Sequence, residues 1–84
     1  MKYTVTYTPF AERQLTDVWL RAANPQDVTD ASSRLDKILR HNAEQVGKPN
    51  EKGWRTIAAP PLVMTFEVSE PDLLVTVLSV RYRP

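Results

Sequence analysis

Polar and apolar positions alternate at the start of the chain: Tyr3, Val5 and Tyr7 fall on one face of an extended backbone, and Lys2, Thr4, Thr6 and Thr8 on the other. A period of two predicts a half-buried strand. The period changes at Thr8-Pro9, an N-cap residue followed by a proline whose missing N–H is harmless in a first helical turn. Ala11, Leu15, Val18, Trp19 and Ala22 then recur at spacings of three and four, with Glu12, Arg13, Asp17 and Arg21 outside the stripe. This predicts a first helix from Pro9 to Ala23.

Asn24-Pro25 repeats the start signal, and Asp27 places an acid at the positive end of the helix dipole. Val28, Ala31, Leu35, Ile38, Leu39 and Val46 continue a helical stripe, predicting a second helix from Pro25 to Val46 with Gly47 as the left-handed residue that closes it. The two helices therefore form a hairpin. Asn42 falls within the second stripe, where an unpaired amide costs on the order of 1 to 3 kcal/mol, so it is expected to be hydrogen-bonded or at the margin of the contact.

The remainder reads as extended. Gly47 to Gly53 is a loop by its Gly, Pro and Asn content, Trp54 to Ala58 a short strand, and Leu62 to Val68 a third strand after the Pro60-Pro61 break. Ser69 to Asp72 is a turn. Leu73 to Val80 is apolar at nearly every position, as expected of a strand interior to the sheet and covered on most of both faces. The order β-α-α-β-β-β predicts an α+β fold, a helical hairpin packed on a small, mostly antiparallel sheet.

With 84 residues, 42% of them hydrophobic and 25% charged, the chain is expected to be a single globular domain over residues 1–84. A domain this small hides only about 60% of the surface its unfolded chain exposes, so its stability margin is thin and a partner is expected to raise it. The absence of cysteine excludes disulfides, thiolate catalysis and cysteine-ligated metals, and makes the cytoplasm the expected compartment. No signal peptide is expected from MKYTVTY, and no apolar run approaches membrane-spanning length. A net charge of +1 is too balanced for a nucleic-acid coat but leaves room for a local basic face.

The single histidine, His41, sits on the polar flank of the second helix and reads as a solvated surface residue. Without a second histidine or a carboxylate cluster at ligand spacing, neither a metal site nor a cofactor is expected. Two glycines cannot build a phosphate-cradling loop or a nucleophile elbow. What remains is a set of cations and a phenol: Lys48 and Lys52 in the loop, Arg55 on the second strand, and Arg81 and Arg83 flanking Tyr82. If the last three strands are neighbours, Arg55 and Arg81 are expected to converge on one sheet face, where two guanidinium forks suit a phosphate. The plainer reading is a solvated mixed-charge surface, because Glu51, Glu67 and Glu70 lie nearby in sequence.

The whole-chain pattern carries more than any one residue: YTVTYTPFAERQLTDVW, an Asn-Pro-started second helix, then GWRTIAAPPLVMTFEVSEPDLLVTVLSVRY. In order and spacing it resembles the RelE/ParE superfamily of type II toxin-antitoxin toxins, over essentially the full chain. The resemblance implies a bacterial or archaeal cytoplasmic toxin of a plasmid-stabilisation type. Its cognate antitoxin would wrap it with a helix or extended tail, and a homodimer or a toxin-antitoxin hetero-oligomer is the implied assembly. Some members cleave mRNA on the ribosome without a metal, and others bind and poison DNA gyrase. In the cleaving branch the resemblance assigns Arg55 and Arg81 to phosphate stabilisation and Tyr82 to proton handling; Lys48, Lys52 and Arg83, from the set of cations above, are the expected target-binding residues in either branch.

Two departures tilt the expectation. Val63 stands where cleaving members carry an arginine early in the third strand, and Pro84 is reached without the C-terminal segment that often brings the last catalytic side chain. Ribosome docking also favours strongly basic chains. A gyrase-binding or otherwise non-cleaving toxin is therefore expected ahead of a ribosome-dependent, metal-independent mRNA endoribonuclease. A relative that only binds its antitoxin stands third.

Overall fold

The computed structural model describes residues 2–84. In chain order its elements are β1 (Thr4–Tyr7), α1 (Pro9–Arg21), α2 (Pro25–Asn42), a single 3-10 turn (Ala43–Gln45), β2 (Lys48–Pro49), β3 (Arg55–Ala59), β4 (Leu62–Ser69) and β5 (Leu74–Tyr82). The strands form one five-stranded sheet in the order β1-β5-β4-β3-β2, with β1 parallel to β5 and every other pair antiparallel. The helical hairpin covers one face of this mixed sheet, the α+β arrangement that the patterning predicts. Among the described residues no helix is long and apolar enough to cross a membrane.

Both helix starts form as their sequences dictate. Thr8 Oγ1 accepts the Ala11 N–H at 3.0 Å, and Asn24 Oδ1 accepts the Gln26 N–H at 3.1 Å, each satisfying one amide that has no intrahelical partner. The ends differ from expectation. α1 stops at Arg21, and α2 stops at Asn42 instead of Val46, the chain tightening into the 3-10 turn. The tighter turn carries Ala43 into the core and leaves Asn42 exposed, so the polar residue in the stripe never meets the apolar contact. Gly47 follows with φ +80°, and a Cβ there would stand 2.9 Å from the Thr56 carbonyl oxygen and 3.0 Å from Ile57 Cγ2. Glycine is thus demanded both by the left-handed backbone and by the close approach to β3.

Leu35 and Leu39 of α2, Met64 and Phe66 of β4, and Val75 and Val77 of β5 belong to one core, all with essentially no exposure, α2 lying over β3 and β4 and α1 over β5. Each such side chain contributes about 1.5 to 3 kcal/mol of burial. Trp19, expected in the α1 stripe, is 46% exposed. It lies on the margin of the helix, where its Nε1 donates to Thr29 Oγ1 of α2 at 3.3 Å and the threonine hydroxyl donates to the Pro25 carbonyl at 3.3 Å, latching the hairpin from outside.

β5 is interior, between β1 and β4, but its apolar run has a cause besides double burial. Thr65 lies opposite Ser79 and Phe66 opposite Val77, so Leu78 is the extra residue of a β-bulge. The bulge inverts the alternation, and Val75, Val77 and then Val80 are the fully buried positions, while Leu74 and Leu78 are only half-buried. Two alternations of opposite phase, joined at the bulge, read as one continuous apolar stretch. β1 has four residues against nine in β5, and the Thr8 N–H to Val77 carbonyl bond at 3.1 Å is the last along that edge. Where the chain turns away into α1, Gln14 Oε1 accepts the Val80 N–H at 2.7 Å, a side chain standing in for the missing strand.

The expected loop Gly47 to Gly53 contains β2, with Lys48 opposite Thr56 and Pro49 opposite Arg55. Asn50 Oδ1 organises the following turn by accepting the Lys52 and Trp54 N–H groups at 2.9 and 3.1 Å. At the other edge, the Tyr3 hydroxyl donates to Glu44 Oε2 at 2.6 Å and the Tyr3 N–H donates to the Arg40 carbonyl at 2.7 Å, tying β1 to the end of α2. The hydrogen bond to Glu44, reinforced by burial and the charges of Glu44 and Glu70, pushes the Tyr3 phenol up to about 12. Burial likewise raises the Tyr7 phenol.

Candidate functional site

The sheet face away from the helices is open. Cross-strand register places Ser79, Thr65, Thr56 and Lys48 in one row across β5, β4, β3 and β2, and Arg81, Val63 and Ala58 in the next. Thr6, Thr76 and Glu67 form a further row toward β1. The Thr56 and Thr65 hydroxyls are 3.3 Å apart and hydrogen-bonded. Val63, second in β4, lies in the end row of this face, 6% exposed and outside the main core cluster. From β2 to β5 is three strand spacings, about 14 Å, so Lys48 and Arg81 bracket a shallow floor of hydroxyls and small apolar groups. That width matches the roughly 10 to 12 Å diameter of one α-helix.

The cations named from sequence are divided by the sheet. Arg81 and Lys48 lie on the open face, and Arg83 follows Arg81 in the alternation, its N–H donating to the Pro61 carbonyl at 2.6 Å. Arg55 pairs with Phe66 and so lies on the helix-side face. There its Nη1 donates to the Val46 and Gly47 carbonyls, both at 3.4 Å, closing the segment that leaves α2. The expected convergence of Arg55 and Arg81 therefore fails. The reason is parity: Arg55 shares its face with Ile57 and Ala59, whereas the bulge in β5 sets Arg81 on the opposite one. Lys52 is engaged separately, its Nζ 4.7 Å from the centroid of the Trp54 ring.

Tyr82 pairs with Leu62 and so shares the helix-side face with Arg55, but four residues farther along β3 and β4, about 13 Å away along the strands. It is 43% exposed and borders a cleft of about 450 Å³ whose other walls include Asp27, Asp30 and Arg34 of α2. The hydroxyl row Ser79-Thr65-Thr56 was not singled out from sequence. The only available signal was the run of threonine and serine at strand positions facing solvent, and the Ser79 member becomes visible only once the bulge is known.

The fold recurs in solved toxins. The toxin-antitoxin complex RelBE2 from Mycobacterium tuberculosis is similar at a TM-score of 0.80 with 21% identity, covering 99% of this chain and 93% of that chain. The chromosomal ParDE system from P. aeruginosa is similar at 0.74 with 19% identity, covering 99% and 98%. The isolated E. coli RelE toxin is similar at 0.64 with 16% identity, covering 98% and 85%. At these identities the likeness is one of fold: this chain has the architecture of the RelE/ParE toxins from end to end. No family model matches the sequence, and neither does any curated protein.

Proposed function

We propose that this chain is the toxin of a type II toxin-antitoxin pair, that its antitoxin lies across the open sheet face, and that it acts by binding its target, DNA gyrase in the ParE-like reading, without cutting RNA. The observation that carries the toxin reading is a fold shared over the whole chain with proteins solved in toxin-antitoxin complexes. The open face supports the placement of the partner. It offers a floor one helix wide and half-buried hydroxyls that present hydrogen bonds.

The disposition of the cations favours binding over cleavage. Metal-free cleavage of RNA by its own 2′-hydroxyl needs several donors gathered on one phosphate and a group that moves protons beside them. Here Arg55 and Arg81 are on opposite faces, Arg55 is engaged with backbone carbonyls, and Tyr82 lies on the face away from Arg81. Arg81 and Lys48 on one face with three hydroxyls are the observation that favours the endoribonuclease alternative. In that reading Arg81 stabilises the phosphate charge and Lys48 holds the neighbouring backbone.

Induced expression tests the proposal. Growth arrest relieved by co-expression of the product of the adjacent gene is the expected result, together with inhibited supercoiling by gyrase and intact mRNA 5′ ends. Codon-phased cuts abolished by Arg81→Ala would replace binding with cleavage. No arrest, with a stable complex all the same, would leave the antitoxin-binding relative, and neither arrest nor complex would remove the toxin reading.

A further inference from the structure

We propose that the solvent face of α2 is a docking surface for the phosphodiester backbone of a nucleic acid, separate from the open sheet face and independent of the toxin reading. A cleft of about 530 Å³ there is walled by Lys2, Arg34, Lys37, Arg40 and His41, with Asp36 as its one acid. Four of the eleven Lys and Arg residues thus meet one of the ten acids, and the rest of the chain is net acidic. A formal charge of +1 conceals this segregation.

Pairing leaves most of that charge available. Arg40 Nε is bound by Asp36 at 2.7 Å, whereas Lys2, Arg34 and Lys37 have no ion-pair partner among the described residues. Asp30, one turn before Arg34, accepts from Gln26 Nε2 at 2.9 Å and with Asp27 borders the neighbouring cleft that Arg34 also lines, so these two acids precede the cations along α2 and the basic strip begins at Arg34. At about 100° and 1.5 Å per residue, Arg34, Lys37 and His41 run along one strip of the helix over roughly 10 Å. A nucleic-acid strand places a phosphate about every 3.4 Å along its axis, so the strip spans about three of them.

The lining also decides the class of partner. Every side chain around the cleft is polar, Ser33 being the remaining one. A protein partner is ordinarily held by apolar and aromatic anchors at the centre of the contact, whereas nucleic-acid interfaces are polar and strongly positive. α2 lies on the far side of the sheet from the open face. A partner on the open face therefore leaves this surface free, and a nucleic acid and a protein can be held at once.

Fluorescence anisotropy with a short mixed-sequence duplex DNA, and separately a single-stranded RNA, tests this across a salt series. Three or four phosphate contacts predict a loss of affinity of about 40- to 150-fold between about 50 and 200 mM salt. Replacing Arg34 and Lys37 together, Arg34→Gln with Lys37→Gln, should weaken binding about ten-fold or more and flatten the salt slope by nearly two. Arg13→Gln with Arg21→Gln removes the same charge from α1 and should leave binding near wild type. Lys37→Glu alone provides a second readout at an exposed position, and thermal melts verify that each variant is folded. Binding to duplex, RNA or both supports the surface and identifies its source of phosphate. No binding at the lowest salt, equal loss in the α1 and α2 variants, or tighter binding to polyglutamate than to either nucleic acid would overturn it.

Discussion

Gln14→Ala removes the acceptor that α1 lends to the sheet. Its Oε1 takes the Val80 N–H at 2.7 Å, and Val80 is 1% exposed, so water cannot replace the lost partner without opening the core. A buried N–H left unsatisfied costs about 1 to 3 kcal/mol. A domain of 84 residues has a total stability of only about 4 to 13 kcal/mol, so this one bond is a large share of it. At roughly 4 to 8 °C per kcal/mol, the melting temperature should fall by about 5 to 20 °C. Gln14→Glu keeps an oxygen at the same reach and should lose less than the alanine variant. Hydrogen exchange adds the local readout: the Val80 amide should lose protection in Gln14→Ala while the Phe66 and Val75 amides keep theirs. A melting temperature within about 1 °C of wild type, with Val80 still protected, would refute the idea that a side chain completes this sheet edge.

Gly47→Ala should destabilise the protein by about 1 to 3 kcal/mol, because a left-handed backbone is combined with a Cβ 2.9 Å from the Thr56 carbonyl oxygen. Gly53→Ala, with φ +81° but open space around it, should lose no more than about 1 kcal/mol, and denaturant titration of both variants separates the two effects. Tyr3 predicts an alkaline transition: a phenol raised to about 12 stays protonated in the fold while the unfolded chain ionises it near the ordinary value of 10.0. The stabilisation is therefore complete below pH 10.0 and is lost as the pH climbs from there toward about 12. Tyr7, raised by burial, acts in the same direction, so Tyr3→Phe should flatten the alkaline loss in a pH series of melts without abolishing it.

The helical hairpin was legible because its signals are local. Thr8-Pro9 and Asn24-Pro25 cap and start helices whatever surrounds them, and the stripes through Leu35 and Leu39 need only a helical period to be seen. The misread features depend on partners distant in sequence. The β5 bulge exists only against Thr65 and Phe66, β2 is a strand only because Lys48 finds Thr56, and the close approach of Gly47 to Thr56 and Ile57 is visible only once β3 is in place. The candidate site inherits this division. Arg81 and Lys48 were readable as available cations, but a single inverted residue in β5 decides which face Arg81 takes, and no period in the sequence announces a bulge. Arg55 looked free in sequence and is instead engaged with the Val46 and Gly47 carbonyls.

The claim that a partner covers the open face is tested most directly by methyl NMR of the chain titrated with the protein encoded beside it. Val63, Leu74 and Leu78 lie on or beside that face, whereas Leu20, 68% exposed on the outer side of α1, reports the opposite surface. Large shifts confined to Val63, Leu74 and Leu78, with Leu20 unmoved, are the predicted result. Shifts at Leu20 with Val63 unchanged would place the partner on the helices and contradict the account.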